Sequence, residues 1–467
     1  MHPHTQYPPV FPLIVAGGLL AGLSPFAGLK LMMVFISATT VFVSCLWLRR
    51  VSSPAIALCA GLFIAISPEL IRLGQIALSD VPFWLFAILS LLAWRRADNG
   101  VAESDGRMPV GWVIAATAAT LAAYFTRSAG APLLLATLIW LLIRRQRRAI
   151  AIVLGVSLPL ILAWWYRGHA AGAGGYLGPF LSVDPYDPAL GSVGVVDLLK
   201  RAFANCSTYA ARQLSRLVFG NPPHGLEFGI PFVAAMIYGW AARLRKLSLP
   251  EIWFPFYVGL VLLWPVTWAG ARFLLPIVPL IALYVAETIG AIAKKTSFAK
   301  ALVALVMMSG VLLVQPTLRQ AVRYGAICRD RIANGNEFGC MEDIFGDFLR
   351  LAQSTKGKLP ENSVVISRKP TLFYLNSGYR SRMYPLYTAP DSLFTEARRI
   401  GAHYLVADNI SDLAPIYLHP ILTKNRDDFC VVPGLSNANA VLMKIEIGGP
   451  PRPPGTPPDV FRVCGQP

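Results

Sequence analysis

Four short stretches hold the residue types that could do chemistry, and each stands beside a long apolar run. In SPELIRLGQIALSDVPFWLF, residues 67–86, Asp80 precedes an apolar segment. A carboxylate there can take a proton from an attacking group. It can equally be a helix start, with Ser79 or Asp80 as cap and Pro82 in the first turn; Asp80 can also serve as cap and ligand-facing carboxylate together. In YFTRSAG, residues 124–130, Arg127 sits in a short connection, and in WAGARFLLPIVPL, residues 268–280, Arg272 opens an apolar run. An arginine at such a rim suits a phosphate, because its planar fork makes bidentate bonds. The bland alternative is a basic side chain snorkelling to an interface. The fourth stretch is His4-Thr5-Gln6-Tyr7-Pro8-Pro9, which also reads as a turn before a helix.

The elements that must position these residues are membrane helices. Of 467 residues, 55% are hydrophobic and only 14% charged, against about 25% charged in soluble domains. The apolar residues fall in blocks of roughly the length that crosses a hydrocarbon core of about 30 Å. Ten spans are expected, over 28–48, 54–71, 81–95, 110–125, 130–143, 149–166, 229–243, 252–268, 272–290 and 299–315. The net charge of +17 does not imply nucleic acid, because the basic residues cluster between the blocks. Arg49-Arg50, Arg95-Arg96 with Arg107, Arg144 to Arg148, Arg243 to Lys246 and Lys294 to Lys300 all fall on one side. The positive-inside rule makes that side cytoplasmic. Arg72, Asp80, Arg127 and Arg272 then lie at the outer face. Residues 8–23 are apolar, yet the charge pattern does not let them cross. They read as a juxtamembrane or re-entrant helix of the outer leaflet, unless another span is miscounted.

Two segments lie outside in this scheme. The outer loop 167–228 is Gly- and Pro-rich at first, then carries a helical pattern with Lys200, Arg201, Arg212 and Arg216 interspersed. That pattern fits an amphipathic helix on the membrane surface or a helix packed on the protein. Domain 319–448 reads as small and α/β: helices over 343–355, 370–378 and the start of 392–408, strands over 363–367, the end of 392–408, 429–434 and 440–447. The tail 449–467 is Pro-rich and reads as extended or disordered. Cys206, Cys328, Cys340, Cys430 and Cys464 are outside, where disulfides persist. Cys328 with Cys340 is the expected pair, and five leaves one thiol over. Within the spans, Glu287 is the clearest charge. The fold class is therefore a polytopic α-helical membrane protein, residues 1–318, with a small C-terminal α/β domain outside.

YPPVFPLIVAGG, RLGQIALSDVPFWL, YFTRSAG and ARFLLPIVPL, in that order, with GAHYLVAD near the end, resemble the C-type integral-membrane glycosyltransferases. The bacterial branch similar to protein O-mannosyltransferases and to lipid A aminoarabinose or galacturonic acid transferases is the nearest in pattern. The resemblance implies an inner-membrane enzyme whose donor is a sugar on polyprenyl phosphate. The acceptor would be a lipid, glycan or protein hydroxyl that attacks the anomeric carbon, with inversion, at the outer face. It implies Asp80, which matches the acidic residue of the family's second outer loop, as a carboxylate of the catalytic site, Arg272, Arg127 and Arg72 as contacts of the donor phosphate, and Tyr7 as a wall of the donor cavity. No cofactor is expected; no clustered Asp or His ligands appear in the sequence, and the need for a metal stays open. In the family a first transmembrane helix and an outer loop with the catalytic Asp precede the Tyr-Pro-Pro stretch. The sequence starts after both, so either the start lies upstream or the front is lost and turnover with it. The alternatives are an inactive relative that binds polyprenyl phosphate or a partner, and a transporter of lipid-linked glycans. The transporter is disfavoured by the scarcity of polar residues at mid-span positions.

Overall fold

A computed structural model of the chain describes residues 7–103, 106–170, 177–185, 187–220, 225–293, 315, 318, 319, 321–386, 391–410, 413–448 and 461–465. The chain divides into two compact units, Met1–Gln320 and Ala321–Pro467.

The first unit is a polytopic helical bundle. Its elements are α1 (Val10–Leu20), α2 (Ala27–Val51), α3 (Pro54–Ile66), α4 (Pro68–Gly74), α5 (Asp80–Asn99), α6 (Val110–Thr126), α7 (Ala131–Ile143) and α8 (Arg147–Ala170). After these come α9 (Leu177–Leu181), a hairpin of β1 (Ser182–Asp184) and β2 (Asp187–Ser192), and α10 (Val195–Thr208). The bundle closes with α11 (Leu214–Phe219), α12 (Leu226–Leu244), α13 (Leu249–Leu263) and α14 (Val278–Ala293). Large side chains such as Trp47, Trp84, Trp94, Trp253 and Tyr284 fill its core. Hydroxyls join the α5–α6 pair: Ser90 Oγ lies 2.7 Å from Thr120 Oγ1, which also accepts from Trp94 Nε1 at 3.2 Å.

Apolar blocks and helices coincide, but continuity does not. The expected second span breaks at Ser67 into α3 and α4, bent by 58°. Pro68 cannot donate a backbone hydrogen bond, and Ser67 starts a new helix by accepting from the Leu70 amide at 3.4 Å. The expected eighth span stops at Leu263, before Trp264-Pro265. The ninth begins as a 3₁₀ turn, Ala271–Ile277, with Pro276 inside. Among the described residues, three helical runs are long and apolar enough to cross a membrane by length and composition, or four if α3 and α4 count as one. The α6, α7 and α13 helices are apolar but shorter. The expected tenth span falls almost wholly outside the described residues. The α1 helix has eleven residues with only Gly18 buried, short of the about 20 a crossing needs.

The described parts of segment 167–228 carry more secondary structure than its Gly and Pro content suggests. The α10 helix turns its polar side to the protein. Arg201 donates to the carbonyls of Phe180 (2.7 Å) and Ser182 (2.6 Å), and Asn205 to those of Leu262 (2.8 Å) and Trp264 (2.7 Å). Its apolar residues Val195, Val196, Leu199 and Phe203 are exposed. At the Arg-rich end of the bundle, Glu287 is not isolated. Arg243 pairs with Glu251 at 2.9 Å and Glu287 at 2.8 Å, and donates to the Val51 carbonyl at 3.3 Å. Arg243, counted from sequence as a loop cation, is thus a buried clamp on α2, α12, α13 and α14.

The second unit holds α15 over 321–333, α16 (Asp343–Thr355), β3 (Val364–Ile366), α17 (Pro370–Ser377), β4 (Arg380–Arg382) and α18 (Ser392–Ile400). It continues with β5 (Ala402–Asp408), α19 (His419–Lys424), β6 (Phe429–Ser436), β7 (Ala440–Ile445) and β8 (Arg462–Val463). The sheet order is β4-β3-β5-β7-β6-β8. Cys328 bonds Cys340, and Cys430 bonds Cys464, leaving Cys206 free. Within the tail, Arg462–Val463 pairs parallel to β6, and the neighbouring disulfide fastens it. Residues 449–460 lie outside the described residues.

Close helix approach makes one position decisive. A Cβ on Gly239 of α12 would sit 2.0 Å from the Tyr284 carbonyl oxygen of α14, and a backbone atom cannot rotate away. Gly239→Ala is expected to cost at least about 1–3 kcal/mol, the price of overpacking, seen as a lower thermal midpoint in detergent. Gly259→Ala, with nothing within 4 Å, is the control and should hold or raise the midpoint.

Candidate functional site

At the helix ends opposite the Arg-rich clusters, the chain gathers Asp80, Arg127 and Arg272. Asp80 opens α5 and is buried, 2% exposed. The Ser79 side chain makes no capping bond, so the capping expected of it is not made. Arg127 Nη1 lies 3.4 Å from Ser79 Oγ instead. Arg127 ends α6 in an extended conformation. A 3₁₀ turn, Ser128–Gly130, then reverses the chain into α7. Only Gly fits at 130, because a Cβ there would meet the Tyr124 backbone at 2.7 Å.

Since α5 and α6 run antiparallel side by side, this turn brings Arg127 to the start of α5. Its Nη1 is 2.6 Å from Asp80 Oδ2. The contact is a charge pair without hydrogen-bond alignment, and Oδ2 is a buried acceptor that no hydrogen bond satisfies among the described residues. Arg127 does not simply snorkel: its side chain is only 20% exposed, and removing it would leave a buried, uncompensated carboxylate.

The segment between α13 and α14 brings the third member. Arg272 is exposed and makes no ion pair among the described residues, so it is not the buried rim residue expected. Its guanidinium carbon stands 4.8 Å from the centroid of the Phe273 ring, and that of Arg127 stands 5.2 Å from the same centroid. Two tyrosines fix the backbone here. Tyr257 donates to the Phe273 carbonyl at 2.9 Å, and the Tyr209 hydroxyl accepts from the Gly270 amide at 3.3 Å. Burial pushes the Tyr209 phenol up to about 12, against smaller lowering effects of Gly270 and Arg272, so it stays a neutral donor and acceptor at neutral pH.

Arg72 makes a bidentate pair with Glu69, at 2.9 and 2.7 Å. Tyr7 is exposed and precedes α1; His4, Thr5 and Gln6 lie outside the described residues. Sequence reasoning missed Phe273, Tyr257, Tyr209 and Glu69. Glu69 is legible as an i, i+3 partner of Arg72, and Phe273 as the aromatic that follows Arg272. The tyrosines come from other elements and carry no local signal. Among the described residues no three His, Cys, Asp or Glu side chains are grouped to hold a metal ion.

The cluster can do two things chemically. A free arginine beside an arginine that is only half committed to a carboxylate can hold an anion. A buried carboxylate next to it can accept a proton. Removing Arg127 should leave Asp80 charged and unpaired. Arg127→Ala is expected to destabilise the protein by about 3–5 kcal/mol, read by denaturant or thermal unfolding. Asp80→Asn combined with Arg127→Ala should recover much of that loss.

No protein-family model and no curated protein sequence matches the chain. Solved structures do. ArnT from Cupriavidus metallidurans in the apo state aligns over 97% of this chain and 90% of its own, at 14% identity and TM-score 0.50. The same protein bound to undecaprenyl phosphate aligns over the same shares, at 14% identity and TM-score 0.51. The Archaeoglobus fulgidus oligosaccharyltransferase, tethered with an acceptor peptide containing the NVT sequon, aligns over 96% of this chain and 67% of its own, at 12% identity and TM-score 0.51. At such identity the likeness is one of fold alone, shared with these solved structures.

Proposed function

We propose that the chain transfers a sugar from a polyprenyl-phosphate donor to a hydroxyl of a lipid, glycan or protein at the outer face of a bacterial inner membrane. The observation that carries this reading is the Asp80–Arg127–Phe273–Arg272 cluster, set at the ends of the helices opposite the Arg-rich ends in a glycosyltransferase fold. The undecaprenyl phosphate bound by the structural neighbour supports the donor class.

In this reading Arg272 takes the donor phosphate first, being the exposed cation without a carboxylate partner. The phosphate then competes with Asp80 for Arg127. Loosening of that pair uncovers the carboxylate. The acceptor oxygen bonds to the anomeric carbon as the bond from that carbon to the phosphate oxygen breaks. Polyprenyl phosphate leaves with the bonding electrons, the hydroxyl proton passes to Asp80, and the configuration inverts. The arginines matter most where charge grows, on the leaving phosphate.

One observation favours a second reading. Asp80 is buried and already paired, which suits a donor-binding protein in which the carboxylate only sets Arg127. Both readings are separated with the full chain in proteoliposomes, supplied with undecaprenyl-phosphate-linked sugars and read by release of undecaprenyl phosphate. For an enzyme, Asp80→Asn should lower release by about 10²–10⁴-fold while undecaprenyl phosphate still binds, and Arg272→Ala should weaken binding itself. A wild type that binds but never releases supports the second reading. Normal transfer by Asp80→Ala with Arg272→Ala combined refutes the site.

A further inference from the structure

Two like-charged guanidiniums do not settle near each other in a half-buried site without a reason. Here both Arg127 and Arg272 stand against a single aromatic ring. The Phe273 centroid is 5.2 Å from the guanidinium carbon of Arg127 and 4.8 Å from that of Arg272. Both distances lie within the about 6 Å over which a ring attracts a cation. The two charges can be no farther apart than those two distances laid end to end.

The ring is itself held. Phe273 is 8% exposed, and its carbonyl accepts from Tyr257 Oη at 2.9 Å. The Trp264 ring lies against it with centroids 6.3 Å apart. Just before it, the Gly270 amide is bound to Tyr209. The ring therefore cannot follow either arginine; the arginines take their places from the ring. Asp80 fixes Arg127 from the other side at 2.6 Å, so Phe273 also sets how far the proton-accepting carboxylate stands from Arg272.

We infer that Phe273 is a positioning residue for the donor phosphate: its ring spaces Arg127 and Arg272 so that they act on one lipid-borne anion. This rests on the reading of the site as a polyprenyl-phosphate site. It goes beyond it by assigning the geometry to a side chain that touches neither phosphate nor sugar. An aliphatic residue of similar bulk would keep the packing and lose the attraction. Another aromatic would keep both.

The test is binding of undecaprenyl phosphate to the full chain in nanodiscs, alongside thermal unfolding. Phe273→Leu should weaken binding about tenfold, the size of one partly desolvated cation–π contact, with the unfolding midpoint little changed. Phe273→Tyr or Phe273→Trp should restore binding. In a protein already carrying Arg127→Ala and Arg272→Ala, Phe273→Leu should add nothing. Three results overturn the inference: Phe273→Leu binding like the wild type, equal loss in the leucine and aromatic variants, or the same further loss in the background without arginines. If the wild type binds but does not transfer, the enzyme reading fails while this inference stands. If the wild type does not bind undecaprenyl phosphate at all, both fail.

Discussion

The ion pair between Asp80 and Arg127 is the constraint on which its end of the bundle depends. A carboxylate buried at the start of α5 is costly unless a cation meets it. The cation comes from the end of α6, through a turn that only Gly130 permits. Sliding α5 along α6 would separate the charges, so the pair fixes the axial register that the Ser90–Thr120 contact also favours. Arg127 then rests against Phe273, a ring that Tyr257 and Tyr209 hold through their bonds to the segment before α14, and against which Arg272 also stands. The charge pair and the ring together bring in residues from three separate parts of the chain.

The opposite end of the bundle uses the same physics differently. Arg243 meets Glu251 and Glu287 and a carbonyl of α2, and its side chain is fully taken up. That guanidinium has nothing left to bind an anion. Around Asp80, by contrast, Arg272 is exposed and has no carboxylate partner among the described residues, and Arg127 is shared between a carboxylate and a ring. The contrast separates a structural clamp from a site with spare cationic capacity. It is the spare capacity, more than the total of charges, that suits a phosphate.

Much of this was legible in the sequence, and the parts that were not share a cause. Apolar blocks predicted helices because burial and lipid both demand an apolar face and internal backbone bonding. Hydropathy does not see a bend, so the breaks at Ser67-Pro68, Trp264-Pro265 and Pro276 passed as continuous spans, although the prolines themselves were the signal. Asp80, Arg127 and Arg272 stood out by type and place. Their meeting did not, because the pair spans 47 positions that only the packing of α5 on α6 closes. The α10 pattern was legible as amphipathic, yet which face meets the protein was settled by Arg201 and Asn205 capturing carbonyls. The β8 strand has two residues, too few for alternation to show, and is found through its pairing with β6 and the Cys430–Cys464 bond.

The most direct measurement is a cryo-electron microscopy map of the full chain in nanodiscs with undecaprenyl phosphate. The account predicts phosphate density within hydrogen-bonding distance of the Arg272 guanidinium, about 2.7–3.2 Å, with Arg127 turned from Asp80 toward it and still against Phe273. A phosphate bound elsewhere, with Arg272 free and the Asp80–Arg127 pair intact, would contradict it.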